Sequence, residues 1–200
     1  MSFENNLLRF RGKDVMGRRA ALLALAVLAL LPVGYHSIRF SGGNTIRAIV
    51  QPNNGDIRNI NQPRKPKLTR ELSFEALSFP PSEFLRYRDG SVFGFGDNFF
   101  VDFKAVFDVA KTGLFTFTVS SDDGFRLTID DNVVSSHPGD RPLGVDEVKV
   151  ALEAGRHTLL LQYFQRYGPA SVEAFYQMSG DPMRHAVGES SGDVRFLPLE

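Results

Sequence analysis

Phe99-Phe-Val-Asp-Phe-Lys-Ala-Val-Phe-Asp108 alternates apolar and polar side chains with a period of two. Phe99, Val101, Phe103, Ala105 and Phe107 share one face, and Asp102, Lys104 and Asp108 share the other. That is the pattern of a strand buried on one side only. After the turn Lys111-Thr-Gly113 it resumes: Phe115, Phe117 and Val119 oppose Thr116, Thr118 and Ser120. Ser121-Asp-Asp-Gly124 then leads into Phe125, Leu127 and Ile129. Asp130-Asp-Asn132 predicts a tight hairpin into Val133-Val134, because Asp and Asn tolerate the left-handed backbone that such turns require. Beyond the loop His137 to Gly144 the sequence predicts three more strands, Val145 to Leu152, His157 to Phe164 and Ser171 to Tyr176. Leu72 to Phe79 reads as an opening strand and Phe196 to Leu199 as a closing edge. Strands at this spacing, with no long amphipathic helix, predict an all-β antiparallel sandwich or barrel over residues 72–200.

The N-terminal part reads differently. No formally charged residue occurs from Ala20 to Ile38. As a helix rising about 1.5 Å per residue, this run approaches the roughly 30 Å of a bilayer's hydrocarbon core, so the sequence predicts one transmembrane α-helix over 20–38. Its strongest part, Ala20 to Val33, is also the size of a signal-peptide core, but Leu31-Pro-Val-Gly-Tyr-His-Ser37 lacks the small-residue cleavage pattern. An uncleaved signal-anchor is therefore expected. Arg9, Arg11, Lys13, Arg18 and Arg19 precede the run, which places residues 1–19 in the cytoplasm and the β-domain on the periplasmic or extracellular side of the cell (inner) membrane.

Residues 39–71 hold Gly42-Gly-Asn44, Gln51-Pro-Asn-Asn-Gly55 and Gln62-Pro-Arg-Lys-Pro-Lys67 with no sustained period, and read as an extended basic linker. In this reading Ile46, Ile49, Val50, Ile57 and Ile60 order only against a partner. Counting formal charges gives +3 for residues 1–38, +5 for 39–71 and −8 for 72–200, which sums to the chain's net zero. An acidic folded part repels nucleic acid, so none is expected as a partner, while Arg58, Arg64, Lys65 and Lys67 in the linker are candidate contacts for acidic groups of a protein subunit or a membrane.

With no cysteine, the chain can form no disulfide, thiolate nucleophile or zinc-thiolate site. His137, His157 and His185 are scattered and form no His-Glu-x-x-His pattern. A Gly-x-Ser-x-Gly elbow is missing, and Gly94-Phe-Gly96 precedes no predicted helix. No enzymatic activity is expected.

The run from Gly113 to Val134, with its Ser-Asp-Asp-Gly turn and Ile-Asp turn, is followed by Ala154-Gly-Arg-His157 leading into a strand that ends Tyr163-Phe164, and then by Ala170-Ser-Val-Glu-Ala-Phe-Tyr176. Together these segments resemble the protective-antigen-type β-sandwich family, named for the anthrax toxin component and also found in yeast adhesins and bacterial glycosidases. The resemblance covers roughly residues 72–200. In the adhesin branch two consecutive aspartates joined by a cis peptide bind calcium, and the ion grips sugar hydroxyls. The resemblance therefore implies Asp122 and Asp123 as metal ligands, and Asp122, Asp123 and Gly124 as the ligand-binding turn. Two aspartates fall short of the six to eight oxygens that calcium takes. The adhesins add an asparagine and often a tryptophan from a later loop, whereas this chain has no tryptophan, and no asparagine beyond Asn132. Asp140, Asp181 or backbone carbonyls are the available replacements. A structural turn whose carboxylates cap backbone N–H groups is the competing reading of Asp122-Asp-Gly124.

Two functions follow. The main expectation is a single-span membrane subunit, non-enzymatic and without a required cofactor, whose β-domain docks on a larger membrane or envelope assembly. The alternative is a membrane-tethered, calcium-dependent, lectin-like module that binds a glycan.

Overall fold

A computed structural model of the chain describes residues 43–198, and none of these is helical. The expected cytoplasmic stretch 1–19 and anchor 20–38 lie outside the described residues. Among the described residues, no helix is long and apolar enough to cross a membrane.

Twelve strands form two antiparallel sheets. They are β1 (Ile46–Pro52), β2 (Arg70–Phe74), β3 (Ser78–Ser82), β4 (Phe99–Val109), β5 (Gly113–Asp122), β6 (Phe125–Ile129), β7 (Asn132–His137), β8 (Gly144–Leu152), β9 (Gly155–Gln165), β10 (Ala170–Met178), β11 (His185–Ala186) and β12 (Val194–Leu197). The larger sheet runs β2-β1-β4-β9-β6-β7, with β12 also on β4. The smaller runs β11-β10-β5-β8, with β3 also on β10. Of the two architectures expected, the sandwich is the one observed.

Strand β4 is the spine of the larger sheet because its alternation is the longest and the most aromatic. It pairs with β9 from Phe99↔Gln165 to Val109↔Gly155. Its other edge is shared by β1, opposite residues 99–104, and β12, opposite residues 106–109. The inward faces of both sheets interdigitate, with Phe103, Phe107, Phe115, Phe117, Leu127, Leu161 and Tyr176 all buried in one core. The predicted opening strand is split in two. Residues 75–77 carry the chain from β2 in one sheet to β3 in the other, and the consecutive Pro80 and Pro81 are tolerated because β3 contacts only β10 and needs no donors on its free side.

The linker expected over 39–71 is corrected by this structure. From Thr45 onward that stretch belongs to the sandwich: β1 inserts between β2 and β4, and Ile46, Ala48 and Val50 are buried. Ile57 and Ile60 close a second apolar cluster with Phe100 and Phe164. The physical reason is that Ile46-Arg-Ala-Ile-Val-Gln51 alternates like β4 but over half the length, and becomes decisive only when β4 offers a free edge beside it.

The Asp130-Asp131 turn has the hairpin geometry expected, with φ of 47° and 64° at its two central residues. It is pinned by His157, whose Nδ1 lies 2.5 Å from Asp130 Oδ2 and whose Nε2 lies 2.9 Å from the Glu153 carbonyl oxygen. Both partners are acceptors, so the imidazolium satisfies both at once. Burial pulls the His157 pKa down, but the hydrogen bonds to Asp130 and Glu153 outweigh it and leave the pKa above 6.5. For a base raised on folding, the stabilisation is complete below the unfolded value of 6.5 and is lost as pH rises through the folded value. Asp130 has the opposite sense. Burial raises its pKa, yet the bonds from His157 and Thr158 more than offset that, so its contribution is present above 3.8 and lost as pH falls through the lowered folded value. The melting temperature is expected to fall from neutral towards mildly alkaline pH, and to lose most of that dependence in His157→Gln. Identical pH profiles for the two proteins would contradict this assignment.

Candidate functional site

The connections at one end of the sandwich meet around the turn between β5 and β6. Asp122 and Asp123 sit there, and the peptide bond between them is cis, as the resemblance implies. The loop between β9 and β10 reaches the pair directly, since the Arg166 backbone N–H donates to Asp123 Oδ2 at 2.7 Å. Residues 138–143, between β7 and β8, also touch it, because the backbone N–H groups of Leu143 and Arg141 lie on the Asp122 and Asp123 carboxylates respectively. The stretch read as a linker supplies a fourth wall: Ile60 N–H donates to the Pro138 carbonyl at 2.8 Å, and Asn59 bridges to Gly139.

The backbone under the aspartates is held by buried polar groups. The Tyr163 hydroxyl lies against the Asp122 carbonyl and 2.5 Å from Gln165 Oε1. Gln165 Nε2 donates in turn to the carbonyls of Gly168 and Pro169, which shapes the β9–β10 loop. Ser121 Oγ donates to the Asp123 carbonyl at 2.8 Å and accepts from Arg141 Nη2 at 2.9 Å. Gly124 is buried, and an added Cβ would come within 2.5 Å of both the Gly139 carbonyl oxygen and a Phe164 ring carbon. Its part is therefore to let two loops and a ring close over the turn. The geometry gives it no free surface for a ligand.

Electrostatics set the aspartate pair apart. Asp123 is 6 % exposed. Burial pushes its carboxyl pKa up to about 6, with the neighbouring charges of Asp122 and Asp140 adding to the rise and the Arg166 and Arg141 amides opposing it. Asp122 is raised as well, again chiefly by burial, with the Leu143 amide and the nearby Arg141 charge opposing the rise. Neither carboxylate is in a salt bridge with a side chain among the described residues, where thirteen such pairs occur, so the absence is local. Two adjacent carboxylates in a partly desolvated turn, helped only by the charge of an Arg141 that is itself paired with Asp146, form a site whose charge is incompletely compensated. Hard carboxylate oxygens of this kind suit calcium and supply at most about four of its six to eight ligands. Among the described residues, no group of three or more His, Cys, Asp or Glu side chains could hold a metal. Asp140 does lie beside the pair, but its carboxylate takes Arg166 Nη1 at 2.7 Å, while Asp181 is engaged by His185 at 2.9 Å.

The loop between β9 and β10 also carries Arg166 and Tyr167 at this tip. The Arg166 guanidinium is gripped by Asp56 through Nε at 2.8 Å and Nη2 at 3.0 Å, and stacks 4.4 Å from the Tyr167 ring. Hydrogen bonds from Arg166 and then Arg58 draw the Asp56 pKa down to about 2. Tyr167 is 58 % exposed. Sequence reasoning missed Asp56, Arg166 and Tyr167, because only the closed sandwich brings residue 56 beside residue 166.

The four cations expected to meet a partner have separate fates. Arg64 is turned inward, with two bonds to Asp102 at 2.7 and 2.8 Å, a third to Gln51, and its guanidinium 4.8 Å over the Phe100 ring. Arg58 pairs with Asp56. Lys65 and Lys67 remain exposed.

This architecture defines a two-sheet, lectin-like β-sandwich with paired aspartates at one tip. The PA14 domain model matches residues 86–190, just over half of the 200 residues, and the chain belongs to the PA14 domain family. Among solved structures it is similar to the PA14 domain of the MpAFP antifreeze protein (TM-score 0.60, 12 % identity, covering 78 % of this chain and 92 % of that one). It is also similar to a PA14 sugar-binding domain from an RTX adhesin (TM-score 0.56, 13 % identity, 72 % and 98 %). A third is the Epithelial Adhesin 9 A domain from Candida glabrata, in complex with Galβ1-4GlcNAc (TM-score 0.56, 10 % identity, 78 % and 90 %). At these identities the likeness is one of fold. No curated protein sequence matches the chain.

Proposed function

We propose that this chain is a non-enzymatic carbohydrate-binding module whose site is the Asp122–Asp123 tip. The observation that carries the reading is the pair itself: two adjacent, partly desolvated carboxylates that form no salt bridge among the described residues, framed by three loops of a PA14-family sandwich. Support also comes from the similar folds, of which one is named a sugar-binding domain and another was solved with a disaccharide. Asp122 and Asp123 would hold a calcium ion, which supplies a centre that attracts vicinal sugar hydroxyls. Backbone donors from Arg166 and Arg141 orient the Asp123 carboxylate, and the Leu143 amide orients that of Asp122. The exposed Tyr167 ring offers an apolar face beside the pair for the C–H face of a sugar. The assembly-subunit reading is weaker, because Arg64 is committed to Asp102 inside the domain.

Glycan-array binding of the chain, with calcium and with chelator, tests the proposal. Asp122→Ala and Asp123→Ala are each expected to weaken glycan retention roughly a hundredfold or more, as is chelation. A chain that retains no glycan, or one whose binding survives both substitutions, would sink it.

The apolar run 20–38 gives such a module its tether, with the sandwich outside the cell (inner) membrane. Protease added to the outer face of intact cells or spheroplasts is then expected to remove the β-domain and spare the N-terminus; full protection would reverse the orientation.

A further inference from the structure

We infer that the free edge of β8 is a self-association surface that joins two copies of this chain into a symmetric dimer through one continuous sheet. β8 is the terminal strand of the smaller sheet. It pairs with β5 alone, from Gly113↔Leu152 to Ser121↔Gly144, with no shift of register. Among the described residues no backbone hydrogen bond from elsewhere in the fold covers its outer side. The other strands at sheet margins are shorter or irregular: β2 has five residues, β7 has a register shift against β6, and β11 has two residues. At nine residues, β8 is the long regular template that a second strand can add to.

Its side chains select the occupant. Val145, Glu147, Lys149 and Ala151 point to solvent, while Asp146, Val148, Val150 and Leu152 face the interior. β8 contains no proline, and its inward-facing acid, Asp146, is already matched by Arg141 at 2.6 Å. A two-fold axis through Val148 pairs β8 antiparallel with itself. Glu147 then lies opposite Lys149 of the second copy, Lys149 opposite Glu147, and Val145 opposite Ala151. Two complementary charge pairs form on the solvent face, each generated by the symmetry. Moving the axis to Glu147 sets glutamate opposite glutamate, and moving it to Lys149 sets lysine opposite lysine. A shift by an odd number turns the solvent face of one copy towards the core face of the other. Only the register centred on Val148 matches both charge and face. The lysine that would guard the edge against foreign strands is thus neutralised by a second copy of the same strand.

The chain has no cysteine, so single thiols can be introduced without background. Full-length Glu147→Cys and Lys149→Cys variants, mixed and oxidised, are expected to give a disulfide-linked dimer containing one of each, identified by mass. Either variant alone should cross-link far less. Glu147→Lys is expected to weaken association about tenfold or more in sedimentation equilibrium, since two pairs turn repulsive, and the double exchange Glu147→Lys with Lys149→Glu should restore it. Both residues are exposed, so circular-dichroism spectra should match the parent protein, while the melting temperature of Glu147→Lys should fall only by what the lost association contributes. A mass of one chain wherever the protein stays soluble overturns the inference. So do cross-links as strong in either single variant as in the mixture, or a dimer indifferent to the charge reversal. None of these readouts involves a glycan, so the outcome is independent of the carbohydrate reading.

Discussion

A fragment beginning at residue 72 is expected to fail to fold, whereas one beginning at residue 43 should melt in a single cooperative transition. The shorter fragment loses β1, which fills the gap between β2 and β4 with six residue pairs along β4 alone. It also loses Ile46, Val50, Ile57 and Ile60, all buried. Burying an aliphatic side chain of this size contributes roughly 1.5–3 kcal/mol, so four of them amount to about 6–12 kcal/mol. That is on the order of the whole net stability of a domain, about 5–15 kcal/mol. The loss also leaves Phe100 and Phe164 uncovered at the aspartate tip, because their cluster has no other members than Ile57 and Ile60. Circular dichroism and thermal melts of the two fragments decide the matter. A cooperative transition in the shorter one, near that of the longer, would show that β1 is an accessory strand.

The second large effect is expected at Phe103. Its ring is fully buried, 5.4 Å from the Phe79 ring and 6.3 Å from the Phe93 ring, and its backbone sits between Ala48 of β1 and Leu161 of β9. Phe103→Ala removes the ring from the place where the two sheets and the β3 corner meet. Strands β1, β4 and β9 around Phe103 are each paired on both sides and cannot collapse into the gap, so both the transfer loss and the cavity cost apply. Together they come to about 3–5 kcal/mol. For a domain of this size the melting temperature should fall by roughly 6–20 °C. A shift no larger than that of an exposed substitution on the same strand, such as Lys104→Ala, would mean that the core repacks freely.

The two effects bear on the site in different ways. Phe103 stabilises the sandwich as a whole, while Ile57 and Ile60 hold the tip closed, and the same segment carries Asp56 to Arg166. Truncating the N-terminal segment therefore removes the wall of the candidate site together with the strand. A glycan-binding assay on a fragment starting at residue 72 would report on unfolding, which is why the aspartate substitutions belong in the full chain.

Strands β4, β5, β6, β8, β9 and β10 were legible in the amino-acid order because each carries its own period of two over at least five residues, and a strand with one buried face needs nothing more to be recognised. The Asp130-Asp131 turn was legible for a similarly local reason, since few residues accept positive φ. The aspartate pair was singled out by the family resemblance that the surrounding strand and turn segments carry, whereas its residues alone also read as a structural turn. What the order of residues did not disclose is who stands next to whom. Ile46 to Gln51 is a strand only because β4 presents an unpaired edge to it, and Arg64 is a structural ion pair only because β4 carries Asp102 to it. Likewise the charge state of Asp123 follows from burial under loops that lie far apart in the chain, which bring residues 56, 140 and 166 to one tip. Periodicity and turn chemistry act within a few residues and are written locally, whereas pairing, desolvation and ion-pair partners depend on contacts across the fold, and only the closed sandwich decides them.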